Sequence, residues 1–311
     1  ETTILGRTGL EVSVAGLGCG GHSRLGMARG ESEAHAAGIV EHAMSLGINF
    51  IDTARAYGTE VAVGKAVKGK RDQVVISTKS SAGRGNDLLS GEAVVESLEK
   101  SLTRLGTDYV DVFHLHGVTE EQYPHCVDEL LPALRRAQEA GKVRYLGVTE
   151  TFGRDPSHRM FQQSLPDNHF DVIMVGFNLL NPSARKTVYP LTLKNNVGTL
   201  TMFAVRRALS QPEALQKTVQ GLIDLGKISR DLGDPEDPLA FVEQHEDVSS
   251  VVQAAYRFCR HEPGAHVILT GTGSAEHLSE NVQSILAGPL PVELQDRLAS
   301  IFGDVDSVSG N

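Results

Sequence analysis

Four polar side chains stand where apolar runs end: Asp52, Tyr57, Lys79 and His116. The runs are Ile48 to Ile51, Gln73 to Thr78 and Tyr109 to Leu115, each short and apolar enough to be a buried strand. An acid, a phenol, an amine and an imidazole brought together make a proton-transfer site. A phenol has an unperturbed pKa of ~10, so a nearby cation must lower it before it is useful near neutrality. Lys79 can supply that cation, and Asp52 can hold the ammonium charged and oriented. Alone, Asp52 reads as a helix cap and Tyr57 as a packing residue. Lys79 resists such a reading, because lysine seldom ends a buried strand unless it is paired.

Parallel strands that deliver polar groups at their C-terminal ends are how an α/β barrel builds an active site. The chain alternates strand and helix patterns from residue 14 almost to its end. Strand 14–19 precedes a loop rich in Gly and Arg and a helix over 32–46, where Ala36, Ile39, Val40 and Ala43 recur at helical spacing. The following units pair strands 48–52, 73–78, 109–115 and 143–148 with helices 60–68, 91–105, 126–140 and one near 156–164. Strands 171–175 and 197–203 precede helices near 183–195 and 247–260, and strand 266–270 with helix 274–286 completes eight units. The pattern predicts a (β/α)8 barrel in a single domain spanning 1–311. Thr2 to Val14, with Gly6 and Gly9, reads as a hairpin capping the barrel floor, and 288–303 as an extra C-terminal helix. A long polar segment, 205–246, follows the seventh strand and includes Gly-Asp-Pro-Glu-Asp-Pro at 233–238. Loops of that length at the mouth of a barrel are usually functional.

With 311 residues, 40% of them hydrophobic, the chain can bury a substantial core. Its net charge of -10 argues against nucleic-acid or membrane-surface partners. No apolar stretch approaches the ~20 residues of a membrane span, and no signal peptide precedes the first strand. Cys19, Cys126 and Cys259 are odd in number and widely spaced, which fits a reducing cytoplasm. The histidines show no metal-ligand spacing, so no metal is expected. His114, two residues before His116, shares its strand face and is expected one layer deeper as a hydrogen-bonded core residue.

Ile48 to Glu60, with Asn-Phe-Ile-Asp-Thr-Ala-Arg-Ala-Tyr-Gly-Thr-Glu at its core, resembles the aldo-keto reductase signature. Ile76 to Lys79, Asp108 to His116, Gly141 to Val148 and Gly271 to Asn281 resemble the family's other motifs, in its order and spacing. The environment is most similar to the sugar- and aldose-dehydrogenase members. The resemblance implies a barrel that moves hydride between NAD or NADP and a small-molecule carbonyl or alcohol. Hydride delivery leaves an alkoxide that needs a proton, which Tyr57 can give, while His116 orients the carbonyl oxygen.

The resemblance also assigns a cofactor site. Gly271, Thr272 and Gly273 would approach a phosphate with backbone N–H groups, and Glu280 and Asn281 would contact the adenine end. NADP-selective relatives place Lys where Gly271 aligns and Arg where His277 aligns, so their absence tips the expectation toward NAD. Arg206, with Arg207, could serve the pyrophosphate or a 2′-phosphate. The family's Ser-Asn after strand five is Thr149-Glu150 here; Thr149 can bond a carboxamide, and Glu150 can accept only its amide protons. The nicotinamide-stacking aromatic aligns with Met202, and the adjacent Phe203 would replace it if the strand bulges. Two other functions stay open at this level. One is a regulatory subunit that keeps the barrel and nucleotide with little turnover. The other is a barrel hydrolase or lyase using Asp52 and His116, which leaves Lys79 unexplained.

Overall fold

The computed structural model describes residues 1–85, 87–230 and 236–311. A short antiparallel hairpin, β1 (Thr2–Ile4) with β2 (Glu11–Ser13), comes first. Strand β3 (Ala15–Gly18) then opens the barrel, followed by β4 (Phe50–Asp52) and β5 (Val75–Ser81). A second small hairpin, β6 (Gly83–Arg84) with β7 (Asp87–Leu88), was not foreseen; Asn86 lies outside the described residues. Strands β8 (Val110–Val118), β9 (Val143–Glu150), β10 (Val172–Gly176), β11 (Gly198–Met202) and β12 (Val267–Thr270) complete the ring. These strands and β3, β4 and β5 form a closed parallel barrel of eight, in sequence order, with β12 returning to β3.

Two apolar layers hold it. Phe50, Val112, Leu200 and Val267 fill the barrel, and the hairpin supplies Leu5 and Val12 as a floor plug. Gly198 begins β11 where a Cβ would lie 2.7 Å from the Leu5 side chain, so the plug requires a glycine there. Outside the ring, residues such as Val63, Leu98, Phe113 and Phe161 join the helices to the strands.

Helices follow the expected spacing with two local breaks. The predicted helix 183–195 splits into Ala184–Thr187 and Tyr189–Asn195 about Val188 (φ -116°, ψ -57°), where Pro190 lacks the N–H that would bond the Lys186 carbonyl. The predicted helix 126–140 begins with a wide π-turn over Cys126–Leu130, just before Pro132 removes a backbone donor. The extra C-terminal helix is present at Val292–Phe302. The segment 205–246 is more ordered than its composition implied, with helices Arg207–Ser210, Pro212–Asp224 and Ala240–Glu243. Residues 233–235 of its Gly-Asp-Pro-Glu-Asp-Pro stretch lie outside the described residues.

Two helical glycines make opposite demands. Gly38 in helix Glu33–Ser45 has open space where a Cβ would be, whereas at Gly64 in helix Glu60–Ala66 a Cβ would fall 2.4 Å from the Leu105 carbonyl oxygen. Gly38→Ala is expected to stabilise the protein by about 0.5–1 kcal/mol. Gly64→Ala should destabilise it by roughly 1–3 kcal/mol through overpacking. Denaturant midpoints of the two variants check this; equal shifts would contradict the close helix approach.

Candidate active site

The C-terminal mouth of the barrel gathers the four predicted residues. Asp52 ends β4, Lys79 lies near the end of β5, and His116 lies on β8, with the register pairing Lys79 to His114 and Ser81 to His116. Lys79 is 1% exposed, and its Nζ donates to both Asp52 oxygens at 2.6 Å and to the Thr53 carbonyl at 2.8 Å. Ser77 donates a further hydrogen bond to Asp52 at 2.9 Å. Tyr57 reaches the site from the single turn Arg55–Tyr57, which Gly58 ends in left-handed geometry (φ 73°). A hydrogen bond of 2.8 Å between the Thr53 and Thr59 hydroxyls fixes the ends of that loop. The Tyr57 ring lies against Gly20, where a Cβ would come within 2.6 Å of it. Its hydroxyl is 3.4 Å from His116 Nε2, and Lys79 Nζ stands 4.9 Å from its ring centre.

The electrostatics differ from the expectation in one respect. Burial raises the Tyr57 pKa, and the pull of Lys79 in the opposite direction does not overcome it. Asp52, beside Lys79, offsets part of that pull, and burial decides the direction. Tyr57 is therefore a protonated phenol at neutrality. Burial, then the charge of Lys79, lower the His116 pKa to about 3, so its ring is neutral. Burial favours a neutral Lys79 amine, but the Asp52 carboxylate outweighs it and holds the ammonium charged.

His114 is fully buried one layer below His116, as expected, with the Val148 backbone as its polar neighbour, although neither ring nitrogen reaches ideal hydrogen-bond geometry among the described residues. The ring fills the space over Gly147, where a Cβ would lie 2.2 Å from Nδ1.

A groove runs from Tyr57 and His116 to the turn after β12. Thr149, Phe203, Arg206, Gly271 to Ser274, His277, Glu280 and Asn281 all line it. Thr149 Oγ1 accepts a hydrogen bond from the Gly117 N–H at 2.7 Å. Ser274 caps helix Ala275–Leu286 by accepting from the His277 N–H, and Asn281 donates to the Thr270 hydroxyl at 3.0 Å. Gly271 is glycine because of its surroundings: a Cβ would lie 2.3 Å from the Gly18 carbonyl oxygen. Any side chain at this position would need the backbone to shift.

The strand does not bulge before Phe203. The β10–β11 register runs unbroken to Gly176 and Met202, and Phe203 then turns into left-handed geometry (φ 66°). Phe152 meets Phe203 edge to face at 5.4 Å, and the Arg206 guanidinium stacks 3.8 Å from the Phe203 ring centre. Glu150 is not free to take amide protons from a ligand. Its buried carboxylate accepts from His158 Nδ1 at 2.9 Å and from the Gly176 N–H at 2.7 Å, and the His158 ring stacks on Phe152. Sequence reasoning missed this pair. His158 carries no local signal, because it adopts left-handed geometry (φ 62°) at a helix start where glycine or asparagine is commoner.

A parallel barrel of eight, with a buried Lys–Asp pair beneath a phenol and a neutral imidazole, defines a class of (β/α)8 oxidoreductases. Residues 17–301 match the Aldo/keto reductase family, and the chain belongs to it. It is 31% identical over 303 residues to the aldo-keto reductase YhdN of Bacillus subtilis (strain 168), covering 90% of this chain and 88% of that protein. It is 37% identical over 156 residues to L-galactose dehydrogenase of Arabidopsis thaliana, 48% of each chain. The fold is similar to that of the holo form of an aldo-keto reductase from Bacillus halodurans (TM-score 0.71, 24% identity), covering 96% of this chain and 95% of that one. The protein is an NAD(P)-dependent oxidoreductase acting between carbonyl and alcohol. Among the described residues, no helix is long and apolar enough to cross a membrane.

A neutral His116 has a measurable signature. Its imidazole resonances should not titrate between pH 5 and 8, and the kcat profile should show no break near pH 6.5 from this residue. Because its folded pKa lies below the unfolded value, its contribution to stability is present above pH ~6.5 and is lost as pH falls toward 3. A His116 titration near pH 6.5 in the folded protein would contradict the assignment.

Proposed function

We propose that Tyr57 is the proton donor and acceptor of this enzyme, with His116 orienting the substrate oxygen and the Asp52–Lys79 pair fixing the phenol. The observation that carries this reading is the convergence of Tyr57 Oη, His116 Nε2 and the buried ammonium at one end of the groove. In the reducing direction the protonated phenol gives its proton to the nascent alkoxide. In the oxidising direction the phenolate accepts the alcohol proton. His116, neutral, donates a hydrogen bond from Nε2 and moves no proton of its own. A nicotinamide bound in the groove supplies or accepts the hydride.

The groove fits a dinucleotide. The Arg206 guanidinium, which has no carboxylate partner among the described residues, faces into it, as does the turn Gly271 to Ser274. In this reading Thr149 bonds the carboxamide and Phe203 packs against the nicotinamide, which their position in the lining of the groove supports. Glu280 and Asn281 lie toward the adenosine end. We favour NAD over NADP, since Gly271 supplies no cation and His277 offers no permanent charge at the expected position. A sugar-like, polar substrate is supported by the likeness to L-galactose dehydrogenase and by the polar lining beyond His116, with His22, Ser23, Thr151 and Arg154. A cytoplasmic setting agrees with the buried, unpaired cysteines.

Tyr57→Phe should keep nucleotide binding while lowering turnover by roughly 10²–10⁴. Lys79→Met should do comparable damage, and the double variant should lose far less than the product of the two. Turnover of Tyr57→Phe within a few fold of the parent removes Tyr57 from the reaction.

kcat/KM with NAD(H) is expected to equal or exceed that with NADP(H). His277→Arg should shift the ratio toward NADP(H) by about tenfold, since a charge-assisted contact contributes ~1.5–3 kcal/mol. Steady-state kinetics with both cofactors decide this, and a strong NADP(H) preference in the unmodified protein refutes it.

A further inference from the structure

We propose that His35 is a positioning residue for the nucleotide: its bond to the Gly273 carbonyl holds the turn after β12 in the shape that receives the phosphates. The inference rests on the reading that this turn takes the pyrophosphate of a dinucleotide. It adds a residue that does not itself line the groove.

The contact is built from the first turn of helix Glu33–Ser45. Ser32 caps that helix by accepting from the His35 N–H at 3.1 Å, which fixes the turn from which the imidazole projects. The half-buried ring places Nε2 2.8 Å from the Gly273 carbonyl oxygen. A carbonyl only accepts, so Nε2 carries the hydrogen. Glycines let ring, loop and turn meet at one point. A Cβ at Gly26 would lie 3.1 Å from His35 Cδ2, and one at Gly273 would lie 2.6 Å from the Gly26 backbone.

The bonded carbonyl shares its peptide plane with the Ser274 N–H, which donates to Thr272 Oγ1 at 3.1 Å. Both edges of that plane are therefore held, one from within the turn and one by His35. The N–H groups of Gly273 and Ala275, on either side of it, find no acceptor within the protein among the described residues. Unsatisfied donors at a helix N-terminus receive anions, and the direction of these two follows the plane between them. Gly273 has no Cβ to restrict its rotation, so the His35 bond supplies the restraint that the residue itself lacks.

His42 on the same helix separates this role from simple helix attachment. It lies about two turns further on and bonds the Ser279 hydroxyl at 2.9 Å. That hydroxyl donates to the Ala275 carbonyl at 3.0 Å, so it accepts from His42. Both histidines tie helix Glu33–Ser45 to the segment after β12, but only His35 bonds the turn.

The test compares His35→Ala, His35→Gln and His42→Ala, reading Kd for NADH by nicotinamide fluorescence, Kd for ADP-ribose by competition, and the cofactor KM against kcat. His35→Ala should weaken both ligands by roughly three- to tenfold, the effect of one lost hydrogen bond, with the larger part of the loss in Kd and KM. Glutamine carries its amide at nearly the reach of Nε2, so His35→Gln should recover most of the binding. His42→Ala should leave both Kd values within about twofold of the parent. Unchanged Kd values in His35→Ala, or no recovery in His35→Gln, overturn the proposal. Equal losses in His35→Ala and His42→Ala also overturn it and leave His35 as a helix contact. A loss confined to NADH does the same, because ADP-ribose carries both phosphates without the nicotinamide. Failure of the underlying reading is separate: ADP-ribose would not bind the unmodified protein at all, and the inference would fall with it.

Discussion

A lysine and an aspartate, both buried at the mouth of the barrel, set the terms for everything around them. Removing two charges from water costs several kcal/mol for each ion. Here the cost is offset by two contacts of 2.6 Å, by the Thr53 carbonyl on the ammonium and by the Ser77 hydroxyl on the carboxylate. Deleting one partner of such a pair is worth about 3–5 kcal/mol of lost stability, so the strands that carry it cannot shift independently. The pair also dictates the protonation of its neighbours. Burial and the nearby ammonium keep His114 and His116 neutral, and burial leaves Tyr57 a phenol against the pull of Lys79. The resting site is thus a set of neutral donors built on one locked ion pair.

The opposite wall of the groove solves a different problem. Its polar groups are largely satisfied inside the protein: Glu150 by His158 and Gly176, Thr149 by Gly117, Asn281 with Thr270. From Glu150 the contacts continue through His158, Phe152 and Phe203 to Arg206. A buried carboxylate is thereby connected, by one hydrogen bond and a series of ring contacts, to a guanidinium facing the groove. The two left-handed residues in this series, His158 and Phe203, are local strain that the surrounding packing maintains.

The barrel was legible because its signals are local and repeated. Apolar runs of strand length alternate with helical spacing, and each site residue sits where a run gives way to polarity. What escaped notice divides into two kinds. Some of it was readable: Leu215, Val219 and Leu222 are buried at helical spacing within Pro212–Asp224, behind a capping-type Pro212, yet the segment's polarity masked the pattern. Pro190 likewise marks the break at Val188. The rest depends on contacts between distant residues. The fit of Gly271 against the Gly18 carbonyl, the bond from His158 to Glu150 and the packing of His114 over Gly147 have no signature in spacing or composition. Lys79 pulls the Tyr57 pKa down as expected, but the depth to which the phenol is buried, which spacing does not show, outweighs it.

The first and last strands of the barrel meet beside Gly18 and Gly271, and this closure is thinly stitched. Strand β12 pairs with β3 through Ile268, Leu269 and Thr270, and with β11 only through Leu200↔Val267 and Thr201↔Ile268. The loops above it are in close contact, with Gly273 against Gly26 and the His35 ring bonded to the Gly273 carbonyl at 2.8 Å. A nucleotide held by the turn after β12 and by the loop after β3 would grip both margins of this seam. Occupancy would then act as a clasp on the ring itself, raising resistance to unfolding by RT ln(1 + [L]/Kd). Under that linkage the lifetime of the enzyme would follow the supply of its own cofactor, with the emptied barrel opening first where the chain closes on itself.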